Sequence, residues 1–163
     1  MKYEYGDIGF VYNGALISKI MRFIMGSKWS HSFMVIGELD GERMILETSD
    51  YEVVISPLNK YLDGRPCEIY RLNQSIKLLP TNWMLGLGYG YSQLISLGLR
   101  RLLYKIVKLP NFFQRGIICC QIPMYAYKEH FGFHYKSLDT EEFYQLVKKD
   151  MELIYVENKK ISE

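Results

Sequence analysis

The alternation of apolar and polar residues predicts a chain that begins mostly as strands and ends mostly as helices. Short apolar or alternating runs, each about as long as a strand, occur at residues 8–12, 31–37, 43–47, 52–55 and 67–72. Between the second and third of these runs lies Asp40–Gly41, a pair that favours a tight hairpin turn. The pattern therefore predicts an antiparallel meander in the first half of the chain.

Apolar residues at helical spacing follow the first strand and then dominate the second half of the chain. Helices are predicted at residues 15–25, 81–85, 92–109, 119–128 and 140–148. Gly26 is expected to cap the first helix at its C-terminus, and Asp139, with an acid three positions later, to cap the last at its N-terminus. A closing strand is predicted at 151–156, and the charged tail 157–163 is expected to fray. The expected fold class is α+β, with an antiparallel meander packed against helices in one domain over residues 1–163.

Composition narrows the classes of function. The formal net charge is only +2 over 163 residues, which argues against nucleic acid as the main partner. The N-terminus lacks the basic and then apolar segments of a secretory signal, and no run reaches the roughly 18 apolar residues of a membrane span. A cytoplasmic location is the expectation from these features.

The cysteines do not form a pattern typical of disulfides or of metal ligands. There are three, Cys67, Cys119 and Cys120, and none has the C-x-x-C spacing of a zinc site. Reduced thiols, with no metal and no cofactor, are therefore expected.

The candidate chemistry lies in the pair Cys119–Cys120 together with the early histidine His31. A cysteine nucleophile must lose its proton, and a neighbouring imidazole can accept it. The cysteines lie at the N-terminus of the predicted helix 119–128, where unpaired N–H groups would lower a thiol pKa. The alternative is that both cysteines are small core residues, which is the commoner role of free cysteine.

Glu47 is predicted to accompany His31. With a turn near Asp40–Gly41, facing residues of the hairpin have numbers that sum to about 80, so His31 lies opposite Ser49 and Glu47 lies two residues away on the same face. A carboxylate there would orient the imidazole. The alternative is an ordinary solvated acid at the end of a strand.

A basic stretch separates the two halves of the candidate site. No acidic residue occurs between Glu68 and Glu129, and the predicted helix 92–109 carries several arginines and lysines among its apolar residues. Such a helix could approach an anionic membrane or polymer, or could be an ordinary packed helix with a solvated basic face. The glycines at 86, 88 and 90 do not fit a dinucleotide-binding loop, because their spacing is G-x-G-x-G and no βαβ unit surrounds them.

In order along the chain, several segments resemble motifs of one known family. These are Gly6-Asp7-Ile8, Ser30-His31 before an apolar strand, Ile45-Leu46-Glu47-Thr48, Val53 to Leu58, Gly86 to Tyr91, and Ile118-Cys119-Cys120-Gln121. Their succession resembles that of the circularly permuted NlpC-type papain-like cysteine hydrolases, which include YiiX-like proteins and are related to lecithin retinol acyltransferase-like proteins.

The resemblance implies a half-barrel of antiparallel strands on helices and assigns roles to single residues. Cys119 would be the nucleophile, His31 the general base and Glu47 the residue that orients it, while Tyr89 and Gln121 would contact the substrate. Cys120 takes the family's serine position, and Gly90 stands where an aspartate is common.

The function implied is that of a cysteine hydrolase, an amidase or peptidase that forms a thioester intermediate. Its substrates would be cell-wall peptides or related amides. Two alternatives remain open: an acyltransferase or thioesterase that acts on lipids with the same site, and a binding module that keeps the fold without catalysis.

Overall fold

The computed structural model describes residues 3–12, 14, 16–62, 64–74, 77–103, 116–132 and 138–157. Within these residues the strands are β1 (Ile8–Val11), β2 (His31–Leu39), β3 (Glu42–Thr48), β4 (Val53–Pro57), β5 (Cys67–Arg71) and β6 (Glu152–Glu157). The helices are α1 (Leu16–Met25), α2 (Asn59–Leu62), α3 (Tyr91–Leu103), α4 (Gln121–Ala126), α5 (Lys128–Phe131) and α6 (Thr140–Asp150). The class is therefore α+β, as the sequence predicts.

The strands form one antiparallel sheet in the order β4-β3-β2-β1-β5-β6. The predicted meander is confirmed for β2, β3 and β4, but β5 leaves it and pairs with β1. The reason is burial: all four residues of β1 are buried, and such a strand needs a hydrogen-bonded neighbour on each side. β1 is thus an inner strand between β2 and β5.

The β2–β3 hairpin has the register that its sequence predicts. Met34 pairs with Leu46 and Val35 with Ile45, and both sums are 80. The turn residues Asp40 and Gly41 have φ of 51° and 82°, as a tight hairpin turn requires. A bulge after Val35 changes the register of the residue pairs between the bulge and the turn. The pairs on the side of His31 keep the predicted register.

The predicted helices are present with three differences. Residues 81–85 form only a short 3-10 turn, Asn82–Met84, because the chain extends at Leu85 and then bends at Gly86 with φ of 75°. The helix predicted at 92–109 begins at Tyr91, and 104–109 lie outside the described residues.

The third difference concerns the cysteines. The predicted helix 119–128 is two short helices, α4 and α5, separated at Tyr127. Cys120, rather than Cys119, is the N-cap residue of α4. Cys119 therefore lies just before the helix, in the connecting turn.

The C-terminal elements follow the prediction. Asp139 accepts a hydrogen bond from the N–H of Glu142, whose side chain accepts one from the N–H of Asp139, so the two form a capping box that starts α6. The chain closes with β6, and residues 158–163 of the predicted tail lie outside the described residues.

Both faces of the sheet are covered. One carries the larger core, in which Phe10 packs on the rings of Tyr70, Phe143 and Tyr144. The other face carries a smaller core that includes Phe33 stacked on Tyr61 of α2. None of the helices in the described ranges combines the length and the apolar character needed to cross a bilayer.

Candidate active site

His31 and Glu47 lie side by side on the sheet face that α2 covers. His31 is the first residue of β2 and Glu47 the last but one of β3. The His31 Nε2–H group donates to Glu47 Oε2 over 2.9 Å. The hairpin register explains this contact, because residues two apart on a strand share a face and facing strands bring them together.

Two further side chains hold the Glu47 carboxylate, and both belong to α2. Lys60 forms an ion pair with Glu47 Oε1, and the Tyr61 hydroxyl donates to Oε2. Glu47 is only 1% exposed. Burial alone would raise its pKa, but the hydrogen bonds from His31 and Lys60 prevail and lower the pKa to about 2. Glu47 is therefore a carboxylate throughout the physiological pH range.

His31 connects this carboxylate to Cys119. With Nε2 bonded to Glu47, Nδ1 is the ring nitrogen left to interact with the neighbouring Cys119 side chain. Burial would lower the pKa of the imidazole, but the bonds to Cys119 and Glu47 outweigh it and raise the pKa to about 9. The favoured state of His31 at neutral pH is the imidazolium.

Cys119 has the opposite shift. A hydrogen bond from the Cys120 thiol, followed by the hydrogen bond and charge of His31, holds its pKa well below the usual range despite burial. The backbone N–H of Ser32 adds another hydrogen bond to the sulfur. The opposite pKa shifts of Cys119 and His31 favour a thiolate–imidazolium pair.

The adjacent Cys120 has a different environment. Its side chain is fully buried in the larger core. Burial and the neighbouring Cys119 sulfur keep the pKa of the Cys120 thiol well above its usual value. The two neighbouring thiols are therefore chemically distinct: one is a thiolate in the site, and the other is a buried hydrogen-bond donor to it.

The glycines around residue 88 support the turn that carries Cys119. Ile117 exchanges backbone hydrogen bonds with Gly88 and Gly90, at 3.0 Å each. Gly116 has φ of 79°, and a Cβ there would lie 2.7 Å from the Gly88 carbonyl oxygen and 2.8 Å from Gly90. These glycines allow two backbone segments to approach closely and place Tyr89 beside Cys119.

A small cavity of about 70 Å³ opens next to the sulfur. Its lining residues come from α1, the segment just before β2, the glycine turn, α3, the turn that carries Cys119, and α6: Ser18, Arg22, Met25, Trp29, Ser30, Tyr89, Leu94, Ile118, Cys119 and Thr140. Tyr89, predicted to contact substrate, thus lines the same cavity as Cys119. Burial and the nearby Cys119 raise the pKa of its hydroxyl, which stays protonated.

Gln121, the other residue predicted to contact substrate, is fully buried. Its Oε1 accepts the N–H of Ile118 over 3.2 Å, so its side chain braces the turn that carries Cys119. Contact with a substrate stays a prediction for Gln121.

Three residues of the site cannot be predicted from the sequence alone. Lys60 and Tyr61 follow β4 in a helix of four residues, too short to give a periodic signal. Arg22 is one basic residue of an apolar helix, and nothing local indicates that it lines the cavity. All three reach the site through tertiary packing, which a single sequence does not display.

The described residues contain no group of three or more histidine, cysteine, aspartate or glutamate side chains placed to hold a metal ion.

The comparisons with known proteins show that this chain is similar in fold to a solved structure. No family model matches the chain. No curated protein matches its sequence. Among solved structures, the chain is similar to the metalloprotein YiiX from Escherichia coli O157:H7, with a TM-score of 0.57 and 19% sequence identity over 82% of this chain and 69% of that chain. The two chains therefore share an overall fold.

Proposed function

We propose that the protein is a cysteine hydrolase that cleaves an amide or ester through a thioester on Cys119. The observation that carries this proposal is the placement of His31 between Cys119 and Glu47: its Nε2 bonds Glu47 over 2.9 Å, and its ring lies close enough to the Cys119 thiol for each group to shift the pKa of the other. A thiolate held by an imidazolium, whose other nitrogen is fixed by a buried carboxylate, has the components of an activated nucleophile.

The proposed reaction has two stages. The Cys119 thiolate attacks the carbonyl carbon, and the oxyanion accepts a hydrogen bond from the backbone N–H of Cys119. His31 gives its proton to the leaving amine or alcohol as the C–N or C–O bond breaks. His31 then removes a proton from water, which attacks the thioester and releases the acid and the thiolate.

The order of the site residues supports a permuted papain-like fold of the NlpC type, with the base on the first strands and the nucleophile before a later helix. By that resemblance the substrate would be a peptide or amide of the bacterial cell wall. The similar YiiX structure is named as a metalloprotein. The described residues of this chain offer no set of ligands for a metal ion.

An activated ester tests the proposal without knowledge of the natural substrate. With p-nitrophenyl acetate we expect a burst of nitrophenolate of about one equivalent, with an acetyl group on the peptide that contains Cys119. The burst should vanish in Cys119→Ala and persist in Cys120→Ala. A burst that survives Cys119→Ala, or its absence from the unmodified protein, would contradict the proposal; a binding module gives the second result.

A second candidate function, acyl transfer to or from a lipid, is favoured by the exposed face of α1. That helix lines the cavity through Ser18, Arg22 and Met25, while Phe23 is 86% exposed and Ile20 49% exposed. Exposed apolar residues on a basic helix suit an interface with anionic lipid.

Vesicles distinguish this candidate from the first. Lipid-directed activity predicts co-sedimentation with anionic vesicles that weakens at high salt and is lost in Phe23→Ser. Protein that stays in the supernatant at low salt would leave the amide hydrolase as the proposed function.

A further inference from the structure

The side chains that line the cavity beside Cys119 give it a positive charge. Among its lining residues in the described part of the chain, Arg22 is the only lysine or arginine, and no carboxylate contributes. Ser18, Arg22 and Met25 are spaced so that they share one face of α1, and this face is turned to the cavity. A fixed positive charge therefore lies in the same small cavity as the nucleophile.

Arg22 is held in place by uncharged partners. Its Nε donates to the carbonyl oxygen of Ser27 over 3.3 Å, and its guanidinium lies 4.4 Å from the ring centroid of Tyr12. Arg22 forms no ion pair with a carboxylate of the described residues. These contacts fix the plane of the guanidinium but leave its charge without an anionic partner.

The surrounding chain does not supply that partner. Residues 8–37, which include β1, α1 and the start of β2, contain no acidic residue, and neither do residues 69–128. Asp139, which precedes Thr140 of the cavity lining, is buried and caps α6. A half-buried guanidinium without a carboxylate is typical of a site for an anionic ligand, since the planar fork matches carboxylate oxygens.

We propose that Arg22 recognises a carboxylate that the substrate carries close to the carbonyl attacked by Cys119. The inference rests on the proposed function and narrows its substrate class to acidic amides or esters. The cavity favours a carboxylate over a substituted phosphate, because about 70 Å³ has room for only a few small groups.

Two small electrophiles that differ in one charge test the inference. Iodoacetate and iodoacetamide both alkylate a thiolate with loss of iodide, but only iodoacetate carries a carboxylate. The measurement is the ratio of their alkylation rates at Cys119, read by mass spectrometry of its peptide, with a free small thiol as reference.

We expect the ratio of the iodoacetate rate to the iodoacetamide rate at Cys119 to exceed the same ratio for the free thiol. In Arg22→Gln this ratio should fall about fivefold, because one nearby positive charge is lost. Arg22→Lys should retain part of the preference because it keeps the charge. Lys19→Gln is the matched control, since Lys19 is an exposed basic residue of the same helix that does not line the cavity. That variant should keep the ratio of the unmodified protein.

Several outcomes would overturn the inference while leaving the proposed function intact. These are an unchanged ratio in Arg22→Gln, an equal loss with both probes, or an equal fall in Lys19→Gln. The inference would also fail if, at matched ionic strength, inorganic phosphate suppressed the iodoacetate reaction more strongly than acetate does. Arg22 would then recognise a phosphate rather than a carboxylate. A Cys119 no more reactive than a free thiol would instead remove the proposed function, and this inference with it.

Discussion

At the scale of single residues, the adjacent thiols differ because their surroundings differ. Cys119 faces an imidazolium and receives a hydrogen bond from Cys120, whereas Cys120 points into the apolar core. The sequence alone leaves the two equivalent, and only the resemblance to the permuted papain-like family separates them. The structural environment supports the same assignment on physical grounds.

The role given to Cys120 leads to a prediction for Cys119. Cys120→Ala removes the leading cause of the lowered Cys119 pKa, so the pH dependence of Cys119 alkylation should move to higher pH. The measurement is the rate of iodoacetamide labelling at Cys119 between about pH 5 and pH 9.

Cys120→Ser is the matched control because a hydroxyl can also donate to the thiolate. It should keep most of the original profile. A profile that stays fixed in Cys120→Ala would show that His31 and the Ser32 N–H hold the thiolate without help from Cys120.

At the scale of elements, the predictable part of the site is the part made by local pairing. His31 and Glu47 come from one hairpin, whose turn is set by Asp40–Gly41 and whose alternation fixes the face of each residue. That is why their contact follows from the sequence. Lys60 and Tyr61 hold the same carboxylate from a short helix that crosses the sheet, and its place depends on contacts distant in sequence.

The order of the strands in the sheet is likewise only partly predictable from the sequence. The five strands of the first half are each predictable, yet the position of β5 beside β1 is not, because it is set by the need of a buried inner strand for two neighbours. The helix predicted from Cys119 onward fails for a local reason: the turn that ends at Cys120 keeps Cys119 outside the helix.

The glycine turn gives a prediction at this scale. Gly116→Ala combines a φ of 79° with contacts of 2.7–2.8 Å to the Gly88 and Gly90 backbone, so we expect a loss of about 2–4 kcal/mol in the free energy of unfolding. Labelling of Cys119 should slow as well, because the turn that carries it must shift. Urea unfolding and the labelling rate are the two measurements.

Gly41→Ala is the control, since Gly41 has φ of 82° but open space around a Cβ. It should cost only about 1 kcal/mol of backbone strain and leave labelling unchanged. Equal effects of the two substitutions would contradict the proposed contact between the turns.

At the scale of the whole molecule, the buried carboxylate links the site to acid stability. The folded pKa of Glu47, about 2, lies below its unfolded value of 4.5. A lowered pKa contributes stability that is present above the unfolded pKa and is lost as the pH falls through the folded one. Glu47 should therefore add on the order of 2 kcal/mol at neutral pH, and this contribution should disappear between about pH 4.5 and pH 2.

Urea unfolding of Glu47→Gln across this range tests the link. The variant should be less stable than the unmodified protein at neutral pH, and the difference should shrink as the pH falls below about 4.5. A difference that is independent of pH would mean that shape, rather than charge, accounts for the role of Glu47.

The central claim is that Cys119 and His31 exist as a thiolate–imidazolium pair, and the pH dependence of iodoacetamide labelling at Cys119 tests it most directly. Because the Cys119 pKa is well below its usual range and that of His31 is raised to about 9, the rate should stay nearly level from about pH 6 to pH 8. His31→Gln should move the profile toward that of an ordinary thiol, because the charge of the imidazolium is lost. A rate in the unmodified protein that rises about tenfold per pH unit until near pH 8.5, as for a free cysteine, would contradict the account.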